Sequence, residues 1–565
     1  MRSVTLPVAE VAPSPPRERN DWIASGLLYF YGVAIVLAVF IPMVMLLVRS
    51  TRDSNGIFIG FGNYQKYFAS PSLIDSFSNS FFVAFVTAVI VIPIAFFYAY
   101  GLSRTCMRWK GIFQAGVFLP LLIPGLLKAI ALIYLFGNQG IFKDLLLGGS
   151  IYGAAGVITA SVLWTFPHAV LIITVSLFNA DRRLYQAAEV LQASSLRTFM
   201  TVTWPACRYG LITAFLAVFV MVFTDFGIAK VIGGNLNLLA TDIYKEVVGQ
   251  QNFEMGAVIS VVLLLPAVAV FILERIAAGK QALQMTGRSL PLIPTPNLRR
   301  DIFYLIFCAV ILSIILLVLA MAQFAALIKF WPYNLNFTLS NYVFDMQGVG
   351  WINFWNSIRM SLLAATGGTI VIFVGATLIE KTRCDTLLRR CLQLSMLLPM
   401  AIPGLVLGLA YLLFVNNPSN PLGFLYGTMA LLVISTVTHL YTVPHLTALT
   451  ALKGLSKEVE LVSQSLNTPI WRTFFRVTVP ACAAAILDIW LYLFLRAMTT
   501  LSAVIFLYTA DTKLAAIAVI HVDETGYTAS AAAMGMLVVY ACLIVRLAHY
   551  FVSVKVLVRY QSWRR

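Results

Sequence analysis

Charged residues are scarce in this chain. Of its 565 residues, only 11% are Asp, Glu, Lys or Arg, whereas 60% are hydrophobic, and the mean hydropathy is +0.88. A water-soluble domain of this length could not cover its surface with so few charges. The sequence also lacks a phosphate-binding loop of the Gly-x-x-x-x-Gly-Lys-[Ser/Thr] type, so we expect that the chain alone does not hydrolyse ATP.

Patterns for metal binding and for covalent catalysis are missing too. The seven cysteines lie in or beside apolar segments or at their basic ends, and none pairs at a metal-ligand spacing. No nucleophile–base arrangement emerges from the polar loops. We therefore expect no disulfide, no metal site, no cofactor held by this chain and no enzymatic activity.

Long apolar runs make up most of the sequence. Segments such as Gly26 to Val48 and Ile302 to Ile328 exceed the roughly 20 apolar residues with which a helix crosses a bilayer. Blocks of about ten residues with alternating polarity, which a membrane barrel would need, do not occur. We predict an all-α integral membrane protein with twelve spans, which begin near positions 24, 80, 112, 155, 206, 255, 302, 357, 391, 424, 481 and 531.

The net charge of +16 could suggest a nucleic-acid partner, so the placement of the charges decides the matter. With the amino terminus in the cytoplasm, most basic residues fall on inner segments, whereas the outer segments hold few. This asymmetry follows the positive-inside rule for proteins embedded in membrane lipid; it fixes the orientation of the chain and does not require a polyanion such as nucleic acid. We expect a bacterial inner-membrane protein with both termini in the cytoplasm.

The second half of the chain repeats the first in the same order, at offsets of 275 to 279 residues. The matched segments are Asn63-Tyr64 with Asn341-Tyr342, Asn79-Ser80 with Asn356-Ser357, LPLLIPGL with LPMAIPGL, Pro167-His168 with Pro444-His445, and RTFMTVTWPAC with RTFFRVTVPAC. We therefore predict two parallel six-helix repeats, related by a pseudo-two-fold axis along the membrane normal. The predicted divisions are a tail (1–23), a first half (24–278), a linker (279–300), a second half (301–556) and a tail (557–565).

Each copy of RTF-x-x-VT-x-PAC ends a polar stretch after the fourth span of its half, at 181–205 and 456–480. Turn-prone residues divide each stretch into two short helices, and a proline opens the next span. A helix that only lies on the lipid surface would not need this repeated register. We therefore predict two amphipathic docking hairpins on the cytoplasmic side.

These hairpins resemble the coupling-helix signature of permease subunits in ATP-binding-cassette importers. In that signature Glu-Ala-Ala is followed by a glycine and, further on, by an aliphatic residue and proline. This sequence has Gln186 at the glutamate position of the first copy, and Gln192 or Asn467 at the glycine position. The resemblance implies the type I importer permease fold and the following coupling residues: Gln186, Ala187, Ala188, Glu189, Gln192, Arg197, Pro205, Glu460, Asn467, Arg472 and Pro480.

The same resemblance implies partners that supply what the chain lacks. Two hairpins without a phosphate loop imply two copies of an ATPase subunit, which bind ATP and Mg, together with an external solute-binding protein. We expect Arg197 and Arg472 to contact acidic groups or helix ends of the ATPases. Ordinary positive-inside charge is the alternative explanation of both arginines.

Three segments, 223–234, 250–260 and 496–509, are similar to stretches of fused two-half permeases for ferric iron and for 2-aminoethylphosphonate. We expect 2-aminoethylphosphonate as the substrate, with ferric iron as the alternative. An ion-coupled secondary carrier is the rival class, because twelve spans in parallel halves also describe that architecture. Such a carrier would not need two hairpins of this signature.

Charged residues within spans are costly and therefore mark candidate pathway positions; they are Lys128, Asp225, Arg359, Asp488 and Arg496. Arg359 lies close enough to the outer boundary to snorkel, so we expect a structural role for it and not a place in the pathway. Asp225 and Arg496 lie in equivalent segments of the two halves, where Thr499 and Thr500 align with Thr224 and Asp225. We therefore expect a belt of polar residues near the central axis of the protein. The alternative is that Asp225 and Arg496 pair with each other for structural reasons.

Prolines and histidines complete the list of candidate pathway residues. Pro124 and Pro403 must interrupt their helices, either to line a gate or only to shape the packing. For His168 and His445 we expect structural hydrogen bonds, because no cluster of ligand residues surrounds either.

Overall fold

Long apolar helices form the body of the protein. The computed structural model describes residues 19–178, 180–284, 292–344, 350–381, 386–418, 420–456, 458, 462–463, 465–466 and 468–553. Within these residues, eight unbroken helices have the length and apolar composition of a span, and four bent helix pairs bring the number to 12. In chain order the spans are Trp22–Ser50, Pro71–Arg104, Lys110–Leu122 with Gly125–Phe136, Ala154–Phe178, Ser195–Phe223, Phe253–Lys280, Leu298–Leu327, Trp351–Lys381, Leu388–Ala401 with Gly404–Val415, Met429–Leu440 with Thr442–Lys453, Trp471–Ala481 with Ala483–Met498, and Thr528–Phe551.

With each bent pair counted as one span, the number among the described residues agrees with the sequence prediction of twelve, but several helices are longer than predicted. The second, fifth and eleventh spans begin at Pro71, Ser195 and Trp471, about ten residues before the predicted starts, because helix continues through polar residues outside the apolar run. Helix also enters the predicted linker, since it runs to Gln284 and resumes at Leu298. Residues 1–18, 285–291 and 554–565, which include most of the predicted tails, lie outside the described residues.

Shorter elements connect the spans. They are the helices Gly62–Ala69, Arg182–Val190, Gly227–Ile232, Leu239–Tyr244 and Ala515–Glu524, the single 3-10 turns Lys143–Leu146, Ser340–Tyr342 and Pro421–Leu425, and the strands Ile328–Phe330 and Asn334–Phe337. The two strands pair in antiparallel fashion directly after the seventh span. They depart from the all-helical prediction because the chain reverses over only three residues there, so two segments of alternating polarity lie side by side.

Matched residues of the two halves make equivalent side-chain hydrogen bonds, and the spans follow in the same order. Asn63 Nδ2 donates to two carbonyl oxygens at the end of the first span, at 2.7 and 3.1 Å. Asn341 Nδ2 makes the same pair of bonds after the seventh span, at 2.6 and 3.1 Å. Ser80 and Ser357 each accept from the first backbone N–H of the short helix that precedes the last span of their half, at 2.9 and 2.8 Å. The matched residues therefore perform the same structural task twice, as a true internal repeat requires.

The first span of each half packs across the other half. The first span contacts the eighth span and the helix Gly404–Val415, while the seventh span contacts the second span and the helix Gly125–Phe136. The Tyr411 hydroxyl on the ninth span donates to the carbonyl oxygen of Ala38 on the first, at 2.7 Å. This reciprocal exchange interlocks the halves, so neither half completes its own helix bundle.

The third and ninth spans bend sharply at the two predicted prolines. The bends are 100° at Pro124 and 108° at Pro403. Each proline lies immediately before a helix, and the residue before it, Ile123 or Ile402, has extended backbone angles. Proline disfavours the helical conformation of its predecessor and lacks a hydrogen-bond donor, so the paired motif produces the same bend in both halves.

Candidate functional site

The first hairpin is a helix–turn–helix between the fourth and fifth spans. Asp181 begins the helix Arg182–Val190 by accepting a hydrogen bond from the Arg183 N–H at 3.0 Å. The helix ends at Val190, and two residues later Gln192 has a left-handed φ of 49°, the conformation that a glycine would adopt most easily. Ser194 then starts the next helix by accepting from the Arg197 N–H at 3.3 Å. Gln192 therefore supplies the turn where the resembling signature has glycine.

One face of this hairpin is attached to the spans. Ala188 is buried, and the Tyr185 hydroxyl lies 3.0 Å from Thr203 Oγ1. The guanidinium carbon of Arg104, at the end of the second span, lies 4.9 Å from the centre of the Tyr185 ring. Arg104 also donates to the carbonyl oxygen of Leu177 at 2.5 Å. These contacts fix the orientation of the hairpin relative to the second and fourth spans.

The second hairpin is described only in part, because Glu460 and Asn467 lie outside the described residues. Its turn is held by hydroxyl groups: Ser463 Oγ lies 2.6 Å from both Thr468 Oγ1 and Thr473 Oγ1. The N–H of Thr468 donates to the carbonyl oxygen of Ser463 at 3.0 Å. The same fold element is thus closed by side-chain bonds in one half and by the left-handed Gln192 in the other.

The repeated RTF-x-x-VT-x-PAC phrase forms the anchor of each hairpin. A π-helical turn begins at Phe199 in the first copy and at Phe474 in the second. Phe199 packs on Phe96 of the second span and Phe474 packs on Phe373 of the eighth, with ring centroids 6.0 Å apart in both cases. The threonine four positions after each of these phenylalanines is buried. The phrase is repeated because the same phenylalanine and threonine fasten both hairpins.

The opposite face of each hairpin is exposed and mixes apolar with charged residues. Arg197 and Arg472 are exposed and equivalent. In the first hairpin Gln186, Ala187 and Glu189 are also exposed; Pro205 is half-buried, and Pro480 in the second copy is exposed. Large apolar side chains are exposed beside them: Leu184, Val190, Leu191 and Leu196 in the first hairpin, and Val462, Leu466, Trp471 and Phe475 in the second hairpin. Two equivalent amphipathic surfaces therefore lie on the same side of the spans, which we call the hairpin side.

A second cluster of polar residues lies deep among the spans. Asp225 follows the fifth span, and its Oδ2 accepts a hydrogen bond from the Ile228 N–H at 2.9 Å. Arg496 lies near the end of the eleventh span, and Lys128 on the third span is within electrostatic range of both. Among the described residues, no ion pair joins Asp225 to Arg496. Asp225 instead receives backbone N–H groups of the helix Gly227–Ile232.

The threonines around this cluster occupy the positions expected from the repeat. Thr224 and Thr499 directly follow the last helical residues of the fifth and eleventh spans, with φ of −103° and −102°. Both hydroxyls donate to the carbonyl oxygen four residues earlier, at 2.9 and 3.2 Å. Thr500, the equivalent of Asp225, is buried. The predicted alignment of the two breaks is therefore present.

Two histidines belong to the cluster, one of which the sequence did not indicate. His168 is within electrostatic range of Lys128 and Arg496, and His439 is within range of Arg496. His439 lies in an apolar run without a repeat partner, so no sequence pattern distinguishes it. His445 is separate from the cluster: its Nδ1 lies 3.4 Å from the Tyr441 hydroxyl, the structural hydrogen bond that we expected.

Comparison with known proteins identifies the family. Residues 92–281 match the family described as binding-protein-dependent transport system inner membrane component. The putative ferric transport system permease protein FbpB 1 of Haemophilus influenzae is 26% identical over 503 residues, covering 86% of this chain and 77% of the relative. The Fe(3+)-transport system permease protein FbpB 2 of the same organism is 22% identical over 542 residues, covering 93% and 97%.

A single-half relative shows higher local similarity. The molybdenum transport system permease protein ModB of Azotobacter vinelandii is 32% identical over 158 residues, which cover 27% of this chain and 70% of the relative. Because the relatives include both full-length and half-length permeases, they agree with the internal repeat. The chain therefore belongs to the family of binding-protein-dependent transport system inner membrane components, and it is a fused two-half permease subunit of an ATP-binding-cassette importer.

Proposed function

We propose that this chain forms the membrane pathway of an importer driven by two copies of a separate ATPase subunit, one docked on each hairpin. The observation that carries the proposal is the pair of equivalent exposed surfaces, each with an arginine and uncovered apolar side chains. Surfaces that combine uncovered apolar side chains with arginine are typical of protein interfaces. The sequence has no phosphate-binding loop, so ATP and Mg bind to the partner subunits.

The proposed orientation places the hairpin side and both termini in the cytoplasm. It rests on the excess of Lys and Arg in the segments on that side. An external solute-binding protein then delivers the substrate to the opposite side, where the family description also requires such a partner. Transport is therefore inward, and the energy enters through the hairpins.

The stoichiometry of the purified complex tests this assignment. Co-expression with the candidate ATPase should give one copy of this chain to two ATPase copies, as measured by native mass spectrometry. The chain alone should show no ATP hydrolysis. A stoichiometry of one to one, or hydrolysis by the lone chain, contradicts the proposal.

We propose ferric iron as the substrate. The relatives that cover most of this chain bear the names of ferric permeases, whereas none of the relatives described above is a phosphonate permease. The sequence expectation of 2-aminoethylphosphonate therefore has less support than its alternative. Uptake by cells that carry the complete transporter decides between them: deletion of this chain should abolish accumulation of ⁵⁵Fe and spare that of labelled 2-aminoethylphosphonate. The reverse result would restore the phosphonate assignment.

The substrate pathway runs, in this proposal, between the two halves beside Asp225, Arg496, Thr499 and Thr500. The bent spans at Pro124 and Pro403 pack directly against the breaks of the fifth and eleventh spans. A Cβ atom at Gly125 would lie 3.4 Å from Ile228, and one at Gly404 would contact Ser502 Oγ. Non-helical backbone at this depth is tolerated only inside protein or along a cavity, so these breaks suit a pathway.

In the same proposal, contacts between the two halves close the pathway on the side opposite the hairpins. Lys230 of the first half forms an ion pair with Glu524 of the second, with Nζ and Oε1 2.7 Å apart. Tyr244 lies beside this ion pair: its ring is 5.0 Å from Lys230 Nζ and stacks on Phe506 with centroids 6.5 Å apart. We assign this layer as the outer gate, closed in this conformation.

A further inference from the structure

The deep polar cluster departs from the internal repeat, because its two basic residues have apolar counterparts in the other half. With the offset of 279 residues that aligns the two bent spans, Leu407 occupies the position of Lys128, and it is fully buried. With the offset of 275 that aligns the fifth and eleventh spans, Met221 occupies the position of Arg496. Since apolar side chains fill the equivalent places in the other half, the scaffold does not require either basic group.

Lys128 is also the cluster member whose burial is least explained by structure. Its side chain is 1% exposed, and its Nζ makes no hydrogen bond to any described residue. Leaving an ammonium group buried without a hydrogen-bond partner is costly, and such groups within spans usually serve a ligand or pathway. A buried nitrogen of His439, Nδ1, lacks a partner within the described residues as well.

The single carboxylate of the cluster does not neutralise both bases. Asp225 lies within electrostatic range of Lys128, but its oxygens already accept backbone N–H groups at the start of the helix Gly227–Ile232. Arg496 forms no ion pair with any described residue. The cluster therefore combines two basic side chains with one carboxylate that is committed to the backbone, and an acceptor-rich anion would complete it.

We propose that Lys128 and Arg496 form a binding site for an oxyanion group in the substrate pathway. This inference rests on the proposed function and specifies its substrate class: the cargo carries a phosphate-like or carboxylate-like group at this point. Ferric iron would pass as an anionic complex, since a bare Fe³⁺ ion prefers hard anionic oxygen ligands and two basic side chains repel it. Within the described residues, no three His, Cys, Asp or Glu side chains form a cluster that could hold a metal ion.

Equilibrium binding of [³³P]phosphate to the complete transporter in nanodiscs tests the site. The variants Lys128→Leu and Arg496→Met copy the residues of the other half, so each should fold, as thermal unfolding can verify. Each should weaken phosphate binding about tenfold or more, because each removes a charge-assisted hydrogen bond from a buried site. Lys128→Arg should retain binding. Arg359→Met, which removes an exposed arginine on the eighth span, is the matched control and should leave binding unchanged.

Absence of phosphate binding by the wild type, or binding that neither Lys128→Leu nor Arg496→Met weakens, would overturn the proposal. Transport in proteoliposomes with the binding protein and ATP separates the two sources of the oxyanion. Joint entry of ⁵⁵Fe and ³³P shows that the anion accompanies iron, whereas entry of ³³P alone shows that the oxyanion is itself the cargo. If neither isotope enters, the proposed transport function is wrong. The binding measurement still decides, independently, whether the oxyanion site exists.

Discussion

Tyr304, on the seventh span, lies against Gly101, on the second: a Cβ atom at Gly101 would be 3.1 Å from the tyrosine ring. The other half contains the same contact with the roles of the halves exchanged, since Tyr31 on the first span lies against Gly375 on the eighth. Tyr31 also forms a hydrogen bond with Tyr441. Each glycine therefore admits the first span of the opposite half, and the pair of contacts positions the halves relative to each other.

Substitution of Gly375 by Ala should destabilise the protein. The added methyl group would displace the Tyr31 ring, which its hydrogen bond to Tyr441 holds in place. Overpacking of this kind costs about 1–3 kcal/mol. Gly367→Ala is the control on the same helix, because nothing lies within 4 Å of its Cβ position and alanine favours helix. Thermal unfolding in detergent should show a lower Tm for the first variant only; equal Tm values would contradict the packing argument.

Charge reversal at the two exposed hairpin arginines should uncouple ATP hydrolysis from transport. Arg197→Glu and Arg472→Glu alter the proposed ATPase contacts without touching the phenylalanine and threonine anchors, so folding should be unaffected. Loss of one charge-assisted contact costs about 1.5–3 kcal/mol, which corresponds to roughly a tenfold or greater loss of coupled uptake.

Arg208→Glu is the control for those reversals, since Arg208 is exposed on the fifth span and, among the described residues, its side chain contacts its neighbour Tyr209. The measurement is ATPase stimulation and uptake by the reconstituted complex. Wild-type values for both reversals would show that these arginines are ordinary cytoplasmic charge.

Much of the fold was predictable because the same sequence patterns occur in both halves of the chain. The matched Asn63 and Asn341 make identical hydrogen bonds, and the bends at Pro124 and Pro403 follow from proline geometry alone. Helix ends were less predictable, because hydropathy locates the apolar run and not the polar turns that extend it. The strand pair after the seventh span depends on backbone pairing across a short reversal, which periodicity does not reveal.

The polar cluster was predictable only in its charged members. Lys128, Asp225 and Arg496 stand out in apolar runs, but their mutual proximity depends on how the third, fifth and eleventh spans pack. A structural pair of Asp225 and Arg496 was one alternative. In the structure the Asp225 carboxylate instead accepts hydrogen bonds from backbone N–H groups that follow it in the chain. His439 could not be identified, since a lone histidine in an apolar helix has no signature.

The Lys230–Glu524 ion pair should contribute measurably to closure of the proposed outer gate. Glu524 is 44% exposed at its side chain, so the attraction is screened and a double-mutant cycle should give a coupling of about 1 kcal/mol or less. Lys230→Glu and Glu524→Lys singly should raise ATP hydrolysis in the absence of the binding protein, and the double reversal should restore it partly. Additive effects of the two single changes would exclude a direct role of the pair.

Removal of the proline bend should impair transport more than folding. In Pro403→Ala, Ile402 regains access to the helical conformation, and the ninth span can straighten away from the break of the eleventh. A change of about 1 kcal/mol in the barrier to opening would lower uptake roughly fivefold. Pro93→Ala is the matched control, because Pro93 lies inside the second span, which forms one unbroken helix, and its replacement should favour that helix. Uptake by the reconstituted transporter, normalised to the amount of folded protein, provides the measurement. If Pro403→Ala and Pro93→Ala transport equally well, the bend shapes packing alone and has no part in the gate.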